Sequence, residues 1–392
     1  MVDKRPSVRT LLLTGPGGAG TSTLAAAAAV RSARAGRHTL LLSRQAVHVP
    51  GLDEVPNLDV VRVDPQASVE RLWGGSSAAV SAVVPHLNLP PESSVVPIPG
   101  TVDLALFAEL SRAEADLVVL DAGPLEAMAA LVALPATLRW WLDQLMPPGM
   151  RALGAVRTAA VAAGAAKRGP VDAALAAVPA VEALLARNRL AEPTTVCLVA
   201  EPRRTSVAPL RTAVTTLALH GLPTAALLAR VLPLGDAGEW ATRRAAEQDA
   251  VLTELAQVAP LHRVPEVAVG PADVDDLAGL LDGFAPPAGV PTESPAAERS
   301  EGVWQLTVPL PFAERAAVRL TRWVDDLVVS VGDARRSIRL DALLRRCEVT
   351  GGRLVDPGTP DARLVVGFTP DAKLWPADLL AAEGMAPKEG TS

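Results

Sequence analysis

The run Val8-Arg9-Thr10-Leu11-Leu12-Leu13-Thr14 leads into Gly15-Pro16-Gly17-Gly18-Ala19-Gly20-Thr21-Ser22-Thr23, and an alanine-rich stretch from Leu24 to Ala35 follows. A β-prone apolar run, a glycine cluster and a helix-prone run in that order predict strand, tight loop, helix. Such a loop offers backbone N–H groups and the positive end of a helix dipole to an anion, which is the physical basis of a phosphate loop. The spacing Gly15-x4-Gly20-x-Ser22 matches a Walker A loop in everything but the lysine, and Thr21 stands at the lysine position. A tight strand-to-helix turn that holds no ligand is the plainer reading of the same glycines.

Outward from this loop, further short apolar runs alternate with helical patterns. Strands are expected at Val8–Thr14, Thr39–Ser43, Val60–Val63, Leu117–Asp121, Thr195–Ala200 and Ala225–Val231, with helices such as Leu24–Ala35 and Leu104–Ala113 between them. Alternation of this kind predicts an α/β domain with a doubly wound, mostly parallel sheet over residues 1–284. Alanine-rich Ala152–Ala166 and Val171–Ala186 read as helices rather than low-complexity sequence. The proline-rich stretch 285–301 breaks every periodicity and reads as a linker. Beyond it, Val303–Leu310, Ala317–Thr321, Leu327–Val331, Ser337–Leu340 and Arg363–Phe368 predict a small antiparallel β-sandwich over 302–376. Residues 377–392 read as a flexible tail. No internal repeat of solenoid period is present.

Composition narrows the function classes. The 392 residues carry 37 basic and 43 acidic side chains, a net charge of -6, and no basic stripe accumulates that would neutralise nucleic-acid phosphates. With 49% apolar residues, disorder throughout is excluded. The cysteines, Cys197 and Cys347, are too few for a disulfide framework or a paired-thiolate zinc site, which fits a cytoplasmic protein. Leu11 to Leu13 is too short for a signal-peptide core, and no uninterrupted apolar run approaches membrane-spanning length, so no stable membrane insertion is expected. Only four of the 37 basic residues are lysines: Lys4, Lys167, Lys373 and Lys388.

The glycine loop resembles the deviant Walker A loop, G-K-G-G-x-G-K-[ST]-T, of the ArsA-type ATPases, which include the arsenite-efflux ATPase and the eukaryotic tail-anchored-protein targeting ATPase. The likeness extends through most of the chain. Ser43-Arg44-Gln45-Ala46-Val47-His48 resembles switch I, S-T-D-P-A-H, and Asp121-Ala122-Gly123-Pro124 resembles switch II, D-T-A-P. Leu134 to Leu145 is similar to the helix that follows switch II in bacterial members, and Ala229-Arg230-Val231-Leu232-Pro233 aligns with N-R-V-L-P. After the linker, Leu310-Pro311-Phe312, Leu327-Val328-Val329 and Gly332 to Arg336 resemble the small-heat-shock-type sandwich of actinobacterial members.

The resemblance implies a nucleotide site built on Gly15, Gly17, Gly18, Gly20, Thr21, Ser22, Thr23 and Asp121, with Ser22 for magnesium and Asp121 at the Walker B strand end. It also implies what is missing. Family lysines fall on Pro16, where one reaches across a dimer to the partner's nucleotide, and on Thr21, where one contacts the β- and γ-phosphates. The switch I aspartate that prepares the attacking water is Gln45, and the adenine-reading asparagine is Ala229. Glu126 stands close to where phosphate would sit. No catalytic residue is therefore assigned. The expectation is a pseudo-ATPase, with ATP or ADP and Mg2+ bound loosely through the glycine skeleton or not at all.

The family's active unit brings two nucleotide sites face to face, so a degraded chain is expected to pair with an ArsA-like paralogue that keeps its lysines, or with a second copy of itself. A weakly active homodimeric chaperone or targeting factor is the alternative. Trp140 and Trp141, near Met128, Met146 and Met150, fit either a groove for hydrophobic client helices or a core helix or subunit interface. Arg44 reads as a solvated loop arginine, with a phosphate contact as its other reading. Arg335-Arg336 and Arg345-Arg346 read as solvated faces. His38, His48, His86, His220 and His262 lack metal-ligand spacing, and no metal site is expected. A MinD-like membrane switch is disfavoured for want of a basic amphipathic carboxyl-terminal helix. Arsenite transport is not carried over, since metalloid sites need clustered thiolates.

Overall fold

β1 (Arg9–Gly15) is the central strand of a seven-stranded sheet in the computed structural model, which describes residues 9–71, 73–74, 90–164, 170–235, 238–288, 295, 297–300, 303–371 and 373–375. The strand order is β3-β2-β4-β1-β5-β6-β7, with β2 Thr39–Ser43, β3 Leu58–Arg62, β4 Leu117–Pro124, β5 Thr194–Ala200, β6 Thr224–Val231 and β7 Leu261–Pro265. Every pairing in it is parallel. Leu11 and Leu13 share a core cluster with helix α1 (Thr21–Arg34) and with Leu277 and Leu281. Alternate positions Leu12, Leu42, Val118 and Leu120 are buried too, and strand alternation turns them to the opposite face. Helices Thr101–Arg112 and Leu125–Leu145 pack on β2 and β4 there. Helices on both faces make the sheet doubly wound, and burial on both faces explains why its strands read as near-continuous apolar runs.

Register fixes what gathers at the carboxyl edge. Leu13 pairs with Asp121 and Cys197, Ser43 pairs with Asp121, and Ala200 pairs with Ala229. The glycine loop, the segments after β2 and β4, and the end of β6 therefore emerge together, where open α/β sheets bind ligands. Three strands were not expected, one of them Ala297–Ser300, which lies in the stretch read as linker. β7 hides because His262 and Arg263 interrupt its apolar pattern. The strand Cys347–Val355 hides because Gly351-Gly352 imitates a turn, although here the ladder shifts register between Val349 and Gly351 and continues.

The chain divides into two compact units, residues 1–210 with 222–292 and residues 211–221 with 293–392. The linker reading of 285–301 meets described residues at 285–288, where the Thr195 hydroxyl donates to Pro287 O at 2.9 Å, and at 295 and 297–300, where Ala297–Ser300 is a strand paired with residues 303–306, so the sandwich begins before residue 302. Residues 377–392 lie outside the described residues, as does His86. In the second unit, β8 (Ala297–Ser300), β9 (Val303–Pro309), β13 (Cys347–Val355) and β14 (Arg363–Pro370) form one antiparallel sheet. The other consists of β10 (Val318–Trp323), β11 (Asp326–Val331) and β12 (Ala334–Arg339). Leu306, Val308, Val366 and Phe368 from the first sheet and Leu327, Val329 and Ile338 from the second share one core, which makes the pair a sandwich.

Leu219, from the segment 211–221, joins that core, and Arg336 donates to Leu219 O at 2.7 Å. Arg336 is thus no solvated residue; it satisfies a helix-terminal carbonyl that has no intrahelical donor. Beside it, burial and the Arg336 charge push the buried His220 down to about 4. A depressed folded-state pKa means that the unfolded chain takes up the proton first, near pH 6.5. The contribution of neutral His220 is therefore complete above about pH 6.5 and drains as pH falls toward 4, at about 1.4 kcal/mol per pH unit in that window. Urea unfolding should show a steeper loss of stability between pH 6.5 and 4.5 for wild type than for His220→Gln. Equal slopes would remove His220 as the cause.

Among the described residues, one helix, Leu125–Leu145, is long and apolar enough to cross a membrane by length and composition. Its sequence is not an uninterrupted apolar run, so the reading that no such run approaches that length is unchanged. Glu126, Arg139 and Asp143 break the run in sequence while leaving its average apolar.

Candidate functional site

The loop is built by close backbone approach. A Cβ at Gly15 would lie 2.2 Å from Val199 O of β5, so only glycine lets β1 turn there. Gly18 and Gly20 have φ of 83 and 86, the left-handed region that glycine enters without strain. Ala19 N donates to Pro16 O at 3.0 Å and closes the turn. Gly20 precedes α1 without a side-chain cap, and the first turn of α1 carries no acidic residue. The initial amides and the positive end of the dipole are therefore left for an anion. Gly15→Ala should cost about 1 to 3 kcal/mol, the range for overpacking a filled site. A change in thermal-melt stability below a few tenths of a kcal/mol would show that β1 and β5 can part cheaply.

The substituted lysine position is closed off. Thr21 is buried, and its hydroxyl lies against Gly15, directed back at the strand. Ser22 and Thr23 are half-buried at the helix start, and Gly17 and Gly18 are exposed. Asp121 is 1% exposed, and its Oδ1 accepts the Gly123 amide at 3.0 Å. Burial raises its pKa, an effect opposed by the Ser22 side chain, the Gly123 amide and the Arg44 charge. Its second oxygen, Oδ2, has no partner within hydrogen-bonding geometry. An orphaned carboxylate oxygen beside a serine hydroxyl is the donor set that a hydrated magnesium ion takes. Ser22 and Asp121 thus fit the ion that the fold implies, and the structure brings them together.

Cations near the loop come from elsewhere in the fold. Arg44 is neither solvated nor aimed at the loop. Its side chain pairs with Asp103 of helix Thr101–Arg112 and donates to Ala122 O at 3.0 Å and Ala127 O at 3.3 Å. Sequence reasoning missed Arg230. Its guanidinium and Cδ lie over Gly20, its Nη1 reaches Gly18 O at 3.4 Å, and its Nη2 pairs with Glu266. The signal was present in Ala229-Arg230-Val231-Leu232-Pro233, but nothing local says that strand β6 delivers this side chain to a loop 212 residues away. Beside it opens a cavity of about 170 Å³, lined by Gly20, Thr23, Arg230, Val264 and Glu266 among others. Ala229 is fully buried and offers no side-chain polar atom there. Gln45 and Glu126 are exposed, and Pro16 is half-buried.

A second feature lies along helices Leu125–Leu145 and Pro148–Ala162. Met128 is buried in the core and belongs to no groove. Trp140 and Trp141 meet edge to face at 4.9 Å, and Trp141, Leu145, Met150, Leu153 and Val156 are exposed. Among the described residues no group of three or more His, Cys, Asp or Glu side chains could hold a metal ion by itself.

Comparison with known proteins agrees with this architecture. A family model described as anion-transporting ATPase matches residues 8–275, and one described as an HSP20-like domain found in ArsA matches residues 301–368. An uncharacterized protein of Streptomyces coelicolor is 36% identical over 405 residues, covering 94% of this chain and 99% of its own length. A protein of Mycobacterium tuberculosis is 29% identical, covering 94% of this chain and 97% of that protein. A protein of Aquifex aeolicus with the provisional name arsenical pump-driving ATPase 1 is 21% identical, over 87% of this chain and 96% of its own. With its glycine loop on the central strand of a parallel sheet and an HSP20-like sandwich later in the sequence, the chain belongs to the ArsA family of anion-transporting ATPases.

Proposed function

We propose that this chain is a pseudo-ATPase subunit, one that keeps the family's cradle without its chemistry, pairs with an ArsA-like paralogue that retains its lysines, and regulates that partner or holds apolar clients. The observation that carries this reading is the state of the cations. The loop keeps its glycine geometry, yet Thr21 turns away from it, and both nearby arginines are bonded to carboxylates, Arg44 to Asp103 and Arg230 to Glu266. Phosphoryl transfer depends on charge stabilisation of the transferring group, so a loop stripped of free cations binds better than it turns over. ATP or ADP with Mg2+ would be held by Gly15, Gly17, Gly18, Gly20, Ser22 and Thr23, with Asp121 behind the ion. Cys197 and Cys347 are both buried and neither forms a disulfide, which supports a reducing cytoplasm.

A second reading is favoured by the exposed apolar face of Trp141, Leu145, Met150, Leu153 and Val156. Large exposed apolar side chains on two consecutive helices are what a partner or client surface would use, and they also suit a weakly active homodimeric chaperone or targeting factor. Purification of the tagged chain from its native organism, with mass identification of what accompanies it, separates these readings. An ArsA-like paralogue in stoichiometric amount is the expected result. A homodimer free of paralogue would overturn the heterodimer.

A further inference from the structure

The loop lacks a lysine, yet it does not lack a cation. Among the described residues of this unit there is no lysine, Arg44 is committed to Asp103 and two carbonyls, and Arg230 is the basic side chain recorded on the loop itself. We propose that Arg230 is the phosphate-binding cation of this site, engaging magnesium-bound di- and triphosphates. This rests on the cradle reading above, though not on the absence of turnover.

Three independent features meet at one place. The uncapped start of α1 and the left-handed Gly18 and Gly20 leave backbone donors for an anion. The unpartnered Oδ2 of the 1% exposed Asp121, beside Ser22, is a vacancy for a hydrated cation that would accompany that anion. The Arg230 guanidinium lies at the rim of the same turn, held by Glu266 and only loosely by Gly18 O at 3.4 Å. Arginine binds phosphate oxygens through paired donors, so a short swing away from Glu266 replaces one anionic partner by another. In the absence of ligand the ion pair satisfies both charges, and in its presence the polyphosphate competes with one carboxylate for one guanidinium.

Calorimetric titration of the full chain with Mg·ATP, Mg·GTP and Mg·pyrophosphate tests the proposal. All three should bind measurably. Arg230→Ala should weaken all three by about tenfold or more, the scale of a hydrogen bond to a charged group. Arg230→Lys should recover part of that loss, and Glu266→Gln should tighten binding several-fold. Thermal melts verify folding, and Arg230→Lys and Glu266→Gln keep the test decisive if Arg230→Ala does not fold. No binding by wild type at millimolar ligand, or equal affinities in Arg230→Ala and wild type, would each overturn the proposal. Turnover plays no part in this readout, so phosphate release would refute the pseudo-ATPase reading while leaving Arg230 to be judged on affinity alone.

Discussion

Incubated with Mg·ATP, the purified chain should release phosphate no faster than its Asp121→Asn variant. A single transition-state donor is worth on the order of 100- to 1000-fold in rate. Here the positions of two family lysines and one aspartate hold Pro16, Thr21 and Gln45. Such losses do not multiply independently, but each alone exceeds what residual positioning supplies. The structure sharpens the expectation beyond the substitutions themselves. A threonine facing the ligand could still donate a hydrogen bond, whereas the Thr21 hydroxyl lies against Gly15. Reintroducing charge by Thr21→Lys, with or without Pro16→Lys, should strengthen Mg·ATP binding by about tenfold or more, because the glycine geometry awaiting the phosphates is intact. Turnover should stay near background in those variants while Gln45 remains. Phosphate release by wild type well above the Asp121→Asn control would sink the pseudo-ATPase reading, and no gain of affinity in Thr21→Lys would mean that the cradle cannot seat a polyphosphate.

What could be read from the chain without coordinates was local. The glycine loop is contiguous, and its meaning depends on spacing alone. The six strands expected in the first unit are each within two residues of the observed ones at their amino-terminal ends, because burial on both faces writes itself as an unbroken apolar run. Pairings distant in sequence escaped. Arg44 contacts Asp103 across 59 residues, Arg230 contacts Glu266 across 36, and Arg336 contacts Leu219 across 117. An arginine in a loop and one buried against a carbonyl are written with the same letter, and only the fold tells which stem lies along an apolar surface. Met128 errs in the opposite direction: its proximity in sequence to Trp140 joined it to a groove, whereas it points into the core.

Asp103→Ala should destabilise the first unit by about 3 kcal/mol. The Arg44 and Asp103 side chains are 13% and 17% exposed, so removal of the carboxylate strands a guanidinium that water reaches poorly. Replacing both partners, Arg44→Met with Asp103→Leu, should restore most of the loss, since the penalty comes from an uncompensated charge and not from absence of the pair. Urea unfolding of the two single variants and the double variant measures the coupling directly. A cost for Asp103→Ala below about 0.5 kcal/mol would show that water reaches Arg44 freely. The pair also bears on the two segments that flank the loop. Arg44 follows β2, its carbonyl partners are Ala122 at the end of β4 and Ala127 in the first turn of the helix Leu125–Leu145, and the guanidinium joins them without any ligand. Segments held by the protein's own charges have little to gain from a nucleotide's. Amide exchange over 44–48 and 121–127 should therefore be nearly the same with and without Mg·ATP in wild type, and should accelerate in Asp103→Ala. Strong protection on adding Mg·ATP to wild type would mean that these segments still answer to the ligand, and that Arg44 does not fix them.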